Sequence, residues 1–364
     1  MKICFITSDV NPHAGLGRVV NSLASEFSLR GYEVGIVSPV GSNDFDSCSI
    51  PLRLNYRHPL LFFMDLLKMR GFLKRYDILV AFDPKPVGVL TYIANVGLNK
   101  KIILQTLGTY ALFEHNKIIK NFFIELVYKK VFKVFVINSF VKKCIEESKK
   151  GFAFGDNLSF VPVGVDTKLF YINTSPSYTY AAKYIISVGG IKLRKGQFKS
   201  VQAFIKISDE FPDLHYVLVG DVYEDVEYIG QIRSVISKAN LDHRIHFLQK
   251  ISDEELIDLY SGSQFFVLTP TTTKEFIEGF GMVYLEAALC GATSLGTKNT
   301  GAEAAIEHKK SGLLVSEEVD DIAQGMKDLL CNPLEREVYK KYARERALLY
   351  DWTKIVDLYE KEIA

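Results

Sequence analysis

Residues 2–31 read KICFITSDVNPHAGLGRVVNSLASEFSLRG. KICFITSDV is apolar enough for a buried strand. The glycine-containing loop NPHAGLG follows, and the spacing then predicts a helix from about Arg18 to Arg30. Val19, Val20, Leu23, Ala24 and Phe27 fall on one face of that helix, and Gly31 ends it. VGIVSP comes next as a second strand. A strand, a helix and a strand joined this way form a parallel crossover unit. DILVAF, KIILQT and VFVIN extend the pattern as further buried strands.

The alternation pauses at residues 166–180, DTKLFYINTSPSYTY, which is polar and contains Pro176. This stretch is expected to be a linker between residues 1–165 and a second domain over 181–346. KYIISVGG restarts the pattern, and HYVLVGD, RIHFLQ and FFVLTP are its later strands. Ser252 and Glu255 stand at capping-box spacing, and helices are expected at about 199–208, 282–290 and 319–330. The fold class is therefore α/β, with two Rossmann-like, doubly wound parallel sheets. Each sheet offers a crevice at the carboxyl ends of its strands, and two such domains face each other across a deep cleft.

The chain has 364 residues, which fits two domains better than one. With 48% hydrophobic and 24% charged residues, disordered and low-complexity classes are excluded. Five scattered cysteines without a CxxC pair argue against a disulfide framework and fit a reducing cytoplasm. The opening MKICFITSDV reads as a core strand and not as a signal peptide. Residues 1–165 hold 21 Lys+Arg against 13 Asp+Glu, a net +8, while the rest of the chain carries −7. A basic half fits an anionic surface or simple drift in surface composition.

Three segments place chemistry at strand ends. In EGFGMVYLEAALCG, Glu278 precedes a helix expected to start near Met282, and Glu286 lies in its second turn. Gly279 and Gly281 bracket Phe280 and let backbone approach a ligand. Helix amides near Gly281, Met282 and Val283 suit phosphate, and carboxylates accept from sugar hydroxyls. In ISVGGIKLRKGQ, Arg194 and Lys195 form a basic turn after a strand, suited to a diphosphate. Gly15 and Gly17 lie at the first strand–helix junction. That junction argues against a nicotinamide cofactor, because Val20 stands where a third small residue is needed and the second strand ends on Ser38 without an acid.

Together with PVGVD at 162–166, VGD at 219–221 and AAIEHKKSGLLV, these segments resemble the retaining GT-B glycosyltransferases of family 4, the glycosyl transferases group 1. The resemblance implies a nucleotide diphosphate sugar, UDP- or GDP-hexose, as donor substrate, with no further cofactor and no metal. It places Glu278 at the donor sugar, Glu286 at the nucleotide ribose and Lys195 at the diphosphate. Gly279, Phe280 and Gly281 then meet sugar and phosphate, and Gly15 and Gly17 close over the donor. It also implies that the C-terminal helix, about 347–364, crosses back to the first domain and buries Trp352. The first domain would be the acceptor side and the second the nucleotide-sugar side.

Two departures stand out. Many family members carry an Arg five residues before the lysine, where this chain has Gly190, and Arg194 is the candidate to supply that cation. The family's His before a glycine is Leu107 here, before Gly108, and Leu donates no hydrogen bond. These departures keep as the alternative a catalytically weak GT-B subunit that binds a nucleotide sugar or a partner chain. Asp44-Phe45-Asp46 is formally a DxD metal motif, but it lies in a polar loop away from both crevices. Segments 58–76 and 115–133 are basic and apolar together. They read either as a membrane-surface element serving a glycan or lipid-linked acceptor at the cytoplasmic face, or as core helices with basic outer faces. No nucleic-acid-binding motif accompanies the basic half.

Overall fold

The computed structural model describes residues 1–52, 59–178 and 183–363. His58 at the edge of one basic segment, residues 179–180 of the expected linker, the domain start at 181 and the terminal residue 364 lie outside the described residues. The chain divides into two compact units. One comprises Met1–Gly164 with Trp352–Ala364, and the other Val165–Asp351.

The first unit is built on seven strands: β1 (Lys2–Ile6), β2 (Glu33–Ser38), β3 (Asp46–Ser49), β4 (Ile78–Phe82), β5 (Lys101–Thr106), β6 (Lys133–Val136) and β7 (Leu158–Phe160). They are all parallel, in the order β3-β2-β1-β4-β5-β6-β7. The chain leaves β1 toward β2 in one direction and returns to β4 in the other, so the strand order reverses between β1 and β4. Side chains of β4 are buried throughout, as expected for a sheet covered on both faces.

The first helix, Gly15–Leu29, starts three residues before the sequence pattern predicts. Its apolar face, Val19, Val20, Leu23, Ala24 and Phe27, is buried as read from the sequence. Gly17 explains the early start. A Cβ there would lie 2.0 Å from the Asn11 carbonyl oxygen, so only glycine lets the loop fold onto the first turn. Ala14 at the N-cap offers no side-chain cap.

At the same reversal point the chain leaves β4 through Asp83, a buried residue with φ of 63°. The Leu107 N–H donates to its Oδ1 at 2.8 Å, which ties the end of β4 to the loop after β5. Burial pushes the Asp83 carboxyl up to about 7, against the downward pull of Leu107, Lys85 and Gly108. The Leu107 side chain is half-buried.

The C-terminal helix, Trp352–Ile363, belongs to this first unit. Tyr359 sets its ring edge against Phe27 and Phe135, and its hydroxyl donates to Gln105 Oε1 at 2.5 Å. Arg30 pairs with Asp357 and Glu360, and Lys133 with Glu362. Trp352 is buried against Gly164, where an added Cβ would lie 2.5 Å from the indole. The glycine of PVGVD thus makes room for the only tryptophan. The helix begins at Trp352, not near 347, because residues 348–350 form a 3₁₀ turn that stays with the second unit.

The second unit is built on β8 (Lys183–Val188), β9 (Leu214–Val219), β10 (Ile245–Leu248), β11 (Phe266–Val267), β12 (Ser294–Thr297) and β13 (Gly312–Val315). They are also all parallel, in the order β10-β9-β8-β11-β12-β13. Here the order reverses between β8 and β11. The capping box forms in both halves: Ser252 Oγ accepts from Glu255 N, and Glu255 Oε2 from Ser252 N.

The described part of the expected linker is a correction. Residues 166–178 pack within the second unit. Phe170 is buried, and buried Asp258 accepts from Asn173 Nδ2 at 2.5 Å and from the amides of Ser177 and Tyr178 at 2.9 Å. A polar segment reads as a linker in sequence, yet one buried carboxylate collects its amides and holds it down.

Two measurements check these assignments. Trp352→Ala should destabilise the protein by about 3–5 kcal/mol, read as a lower denaturation midpoint. For Asp83, the folded carboxyl keeps its proton to higher pH than the unfolded one. Stability should therefore fall as pH rises from about 4 to about 7, and Asp83→Asn should remove that fall. Between pH 5 and pH 8 the wild type should lose up to about 3 kcal/mol relative to the variant, read from melting curves of both proteins. Parallel pH profiles would show that Asp83 ionises normally.

Candidate active site at the switch point of the second sheet

Ligands in open parallel sheets bind outside the carboxyl ends of the strands where the order reverses. In the second unit that point lies between β8 and β11, and both expected segments leave the sheet there. After β8 the chain passes Gly189 and Gly190, makes a 3₁₀ turn over Leu193–Lys195, and enters the helix Gln197–Ile207 through Gly196. Gly196 has a φ of 72°, and an added Cβ would lie 1.7 Å from the Thr269 carbonyl oxygen just beyond β11. The basic turn can therefore sit against β11 only with glycine at this position.

After β11 the chain runs through a threonine-rich loop to Glu278 and then into the helix Met282–Leu289. Gly281 precedes that helix with a φ of 78°, and no side-chain cap bond is made there. The helix N-terminus thus presents amides at the switch point. Met282 and Val283 are half-buried, while Gly279, Phe280 and Gly281 are buried.

The structure brings Arg194, Lys195 and Glu278 into one ion-pair cluster. Lys195 Nζ donates to Glu278 Oε1 at 2.9 Å, and Arg194 Nη1 donates to Oε2. The Glu278 side chain is 7% exposed, Lys195 11% and Arg194 30%, so the lysine is the inner cation and the arginine the outer one. Burial alone would push the Glu278 carboxyl up. Lys195 and Arg194 outweigh it and hold the group below the usual carboxylate range. Burial pushes the Lys195 ammonium down, with Arg194 adding repulsion and Glu278 opposing both.

Glu286 is buried on the second turn of the same helix. Gly190 has a clear reason in this fold. An added Cβ would lie 2.3 Å from Glu224 Oε2, and Glu224 pairs with Lys192. A larger residue at 190 would displace that pair. Gly15 and Gly17 lie at the switch point of the other sheet, in the other unit.

Sequence reasoning missed the brace behind the Glu278 loop. Gly301 N–H donates to the Glu278 carbonyl at 2.9 Å, and a Cβ on Gly301 would lie 2.3 Å from the Gly279 carbonyl. Thr297 Oγ1 donates to the Pro270 carbonyl at 2.6 Å, and Thr272 Oγ1 to the Asn299 carbonyl at 3.1 Å. The available signal was the turn-forming Asn299-Thr300-Gly301. The Asp44-Phe45-Asp46 motif sits elsewhere. Asp46 opens β3 at the amino end of an edge strand, where it pairs with Arg75 and accepts from Tyr76 Oη at 2.8 Å.

Residues 180–346 match the family model described as "Glycosyl transferases group 1". The D-inositol 3-phosphate glycosyltransferase of Corynebacterium urealyticum is 28% identical over 49% of this chain and 43% of its own. The GDP-mannose-dependent alpha-(1-6)-phosphatidylinositol monomannoside mannosyltransferase of Mycolicibacterium smegmatis is 27% identical over 50% of each. The chain spans about half the length of the curated relatives it matches. Among solved structures, a glycosyltransferase from Rickettsia africae aligns with a TM-score of 0.83 at 18% identity, covering 100% of this chain and 98% of that one. Anabaena Alr3699/HepE in complex with UDP and glucose aligns at 0.82 and 17%, covering 100% and 99%. Over residues 180–346 the chain is similar to the glycosyl transferases group 1, and its two parallel-sheet α/β units have the fold called GT-B.

Proposed function

We propose that this protein transfers a hexosyl group from a nucleotide diphosphate sugar to an acceptor hydroxyl, with retention at the anomeric carbon. The observation that carries the reading is the meeting of Arg194, Lys195, Glu278 and a helix N-terminus at one switch point. Two cations and a set of amides suit a diphosphate. The Glu278 carboxylate holds the cations in place and accepts from sugar hydroxyls. Glu286, one turn further along, is assigned to the ribose.

The demanding step is departure of the nucleoside diphosphate. As the bond from the anomeric carbon to the phosphate oxygen breaks, negative charge grows on the phosphate and the carbon becomes oxocarbenium-like. Lys195, Arg194 and the amides of Met282 and Val283 stabilise that charge, so this reading asks for no metal ion. The acceptor oxygen bonds to the anomeric carbon from the face the phosphate leaves, and its proton passes to a phosphate oxygen. Atoms and charge balance without a protein nucleophile, and Glu278 positions the sugar. The first unit takes the acceptor, a glycan precursor or a lipid-linked hydroxyl. The relatives named for GDP-mannose and for inositol phosphate or phosphatidylinositol support this class of donor and acceptor.

Leu107 and the Lys192–Glu224 pair beside Gly190 favour one rival, a GT-B subunit that binds nucleotide sugar and turns it over weakly. Thermal-shift titration with UDP-, GDP- and ADP-sugars identifies the nucleotide. Released nucleoside diphosphate with and without acceptors then separates enzyme from binding subunit. Failure of every sugar nucleotide to protect the protein would sink both readings.

The carboxylates should separate by role. Glu286→Ala should weaken nucleoside diphosphate binding by roughly 1.5–3 kcal/mol, measured by calorimetry. Glu278→Gln should lower turnover more than that affinity. The reverse pattern would exchange their assignments.

The cations should separate by burial. Lys195→Ala leaves a buried carboxylate with one outer partner and should cost about 3–5 kcal/mol of stability along with activity. Arg194→Ala leaves the inner pair intact. It should melt near wild type while weakening diphosphate binding roughly tenfold or more. Unchanged affinity in Arg194→Ala would remove Arg194 from the diphosphate site.

A further inference from the structure

In the first unit, two helices leave large apolar side chains in solvent. On the helix Pro59–Leu73 only Met69 and Leu73 are buried. Leu60, Leu61, Phe63, Met64 and Leu67 are each more than half exposed. On the helix Ile118–Lys130, Ile118 is 86%, Ile119 73% and Phe122 61% exposed. The two helices flank the short helix Val89–Asn95, so all three form one layer on one face of the sheet.

Chain direction decides where these side chains sit. Each helix carries the chain back from the carboxyl end of one parallel strand to the amino end of the next. Both helices therefore begin at the carboxyl edge of the sheet, and their exposed apolar residues run from the first turn to Leu67 on one and to Phe122 on the other. Tyr110, 64% exposed in the loop that leaves β5, lies at the same edge. Exposed basic residues accompany them: Lys68 on one helix with Lys74 and Arg75 just beyond its end, and Lys117 at the N-cap with Lys120, Lys129 and Lys130 on the other. Residues 59–76 carry a net +3, and so do residues 110–133. Lys120 and Lys129 pair with Glu114 and Glu125, and these acids are outnumbered.

We infer that this edge of the first unit docks on an anionic lipid surface, with the first turns of both helices entering the interface. Exposed apolar side chains with cations among and behind them match acyl chains below anionic headgroups, since long lysine stems reach back to the headgroups. A self-associating patch gains nothing from a surround of one charge sign, since the two copies' cations would face each other. No described helix is long and apolar enough to cross a membrane, so the contact is peripheral. The edge that docks is the carboxyl edge, where this sheet opens its own crevice. Combined with the transfer reading above, on which this step rests, the docked bilayer supplies the acceptor as a lipid headgroup hydroxyl.

The test is co-sedimentation of the full chain with phosphatidylglycerol–phosphatidylcholine vesicles and with phosphatidylcholine vesicles. Binding should require phosphatidylglycerol and weaken in high salt. The double variant Phe63→Asp/Phe122→Asp should lose binding while keeping its melting temperature and its protection by sugar nucleotides. Lys74→Gln and Lys130→Gln should each weaken binding roughly fivefold, the factor for about 1 kcal/mol per lysine near an anionic surface. Absence of binding by wild type, or equal binding by the double variant, overturns the inference. Self-association seen by analytical ultracentrifugation, abolished by the same substitutions and unaccompanied by vesicle binding, also overturns it. Vesicle binding without protection by any sugar nucleotide would leave the docking surface standing and remove the transfer reading.

Discussion

One buried carboxylate shared by two cations organises the second unit. Glu278 lies in the loop after β11, and Arg194 and Lys195 lie in the turn after β8. The β11 strand is two residues long and registers with β8 at a single position, so the sheet itself holds these loops loosely together. The ion pairs, with Gly196 against Thr269 and Gly301 against Gly279, supply the missing closure. Buried ion pairs add little net stability against an apolar replacement, because desolvation offsets most of the attraction. The cluster makes more sense as preorganisation. It sets two cations and a carboxylate in fixed positions before a ligand arrives.

The two units use the same topology with different chemistry at the reversal point. In the second unit the switch carries net positive charge around Glu278. In the first it carries Asp83, a buried acid at positive φ, with Leu107 alongside. An acid whose proton is held to about 7 bears little negative charge in mildly acidic solution and more above neutrality. Buried Asp83 uses its carboxyl inside the fold, on the Leu107 amide, whereas the second unit's switch point sets Arg194 and Lys195 around Glu278.

Much of this was legible in the sequence because it depends on local rules. Long buried strands such as β1, β4 and β8 announce themselves by apolar runs, and Ser252 with Glu255 by spacing alone. β12, with SLGT, and β13, with GLLV, were not legible as strands, because glycine and small polar residues weaken the strand signal in so few residues. Residues 166–178 looked like a linker because nothing local shows that Asp258, some eighty residues later, accepts from their amides. Arg194, Lys195 and Glu278 were each legible as candidates. Their mutual pairing was not, since it requires knowing that β11 lies next to β8. Asp83 gave no signal at all: DPKP reads as an ordinary turn.

Gly190 shows how a departure from a family pattern can be read physically. Judged from sequence, it is a missing cation. In the fold, the space above it is filled by Glu224, which Lys192 neutralises. A guanidinium at 190 would have to displace that carboxylate. The chain therefore has not simply lost a charge at this place, since a matched pair fills the gap beside the switch point. Charge for a diphosphate then rests on Arg194 and Lys195, which Glu278 already shares. A ligand with two phosphate charges competes with one carboxylate for two cations, and it can take the outer Arg194 first, because that side chain is the more exposed. Lys195 can stay on Glu278 while its remaining N–H bonds turn to phosphate. On this argument Lys195 braces Glu278 and meets phosphate at once, while Arg194 is the cation a ligand reaches first, an inequality that burial sets and that sequence order, with the two residues side by side, conceals.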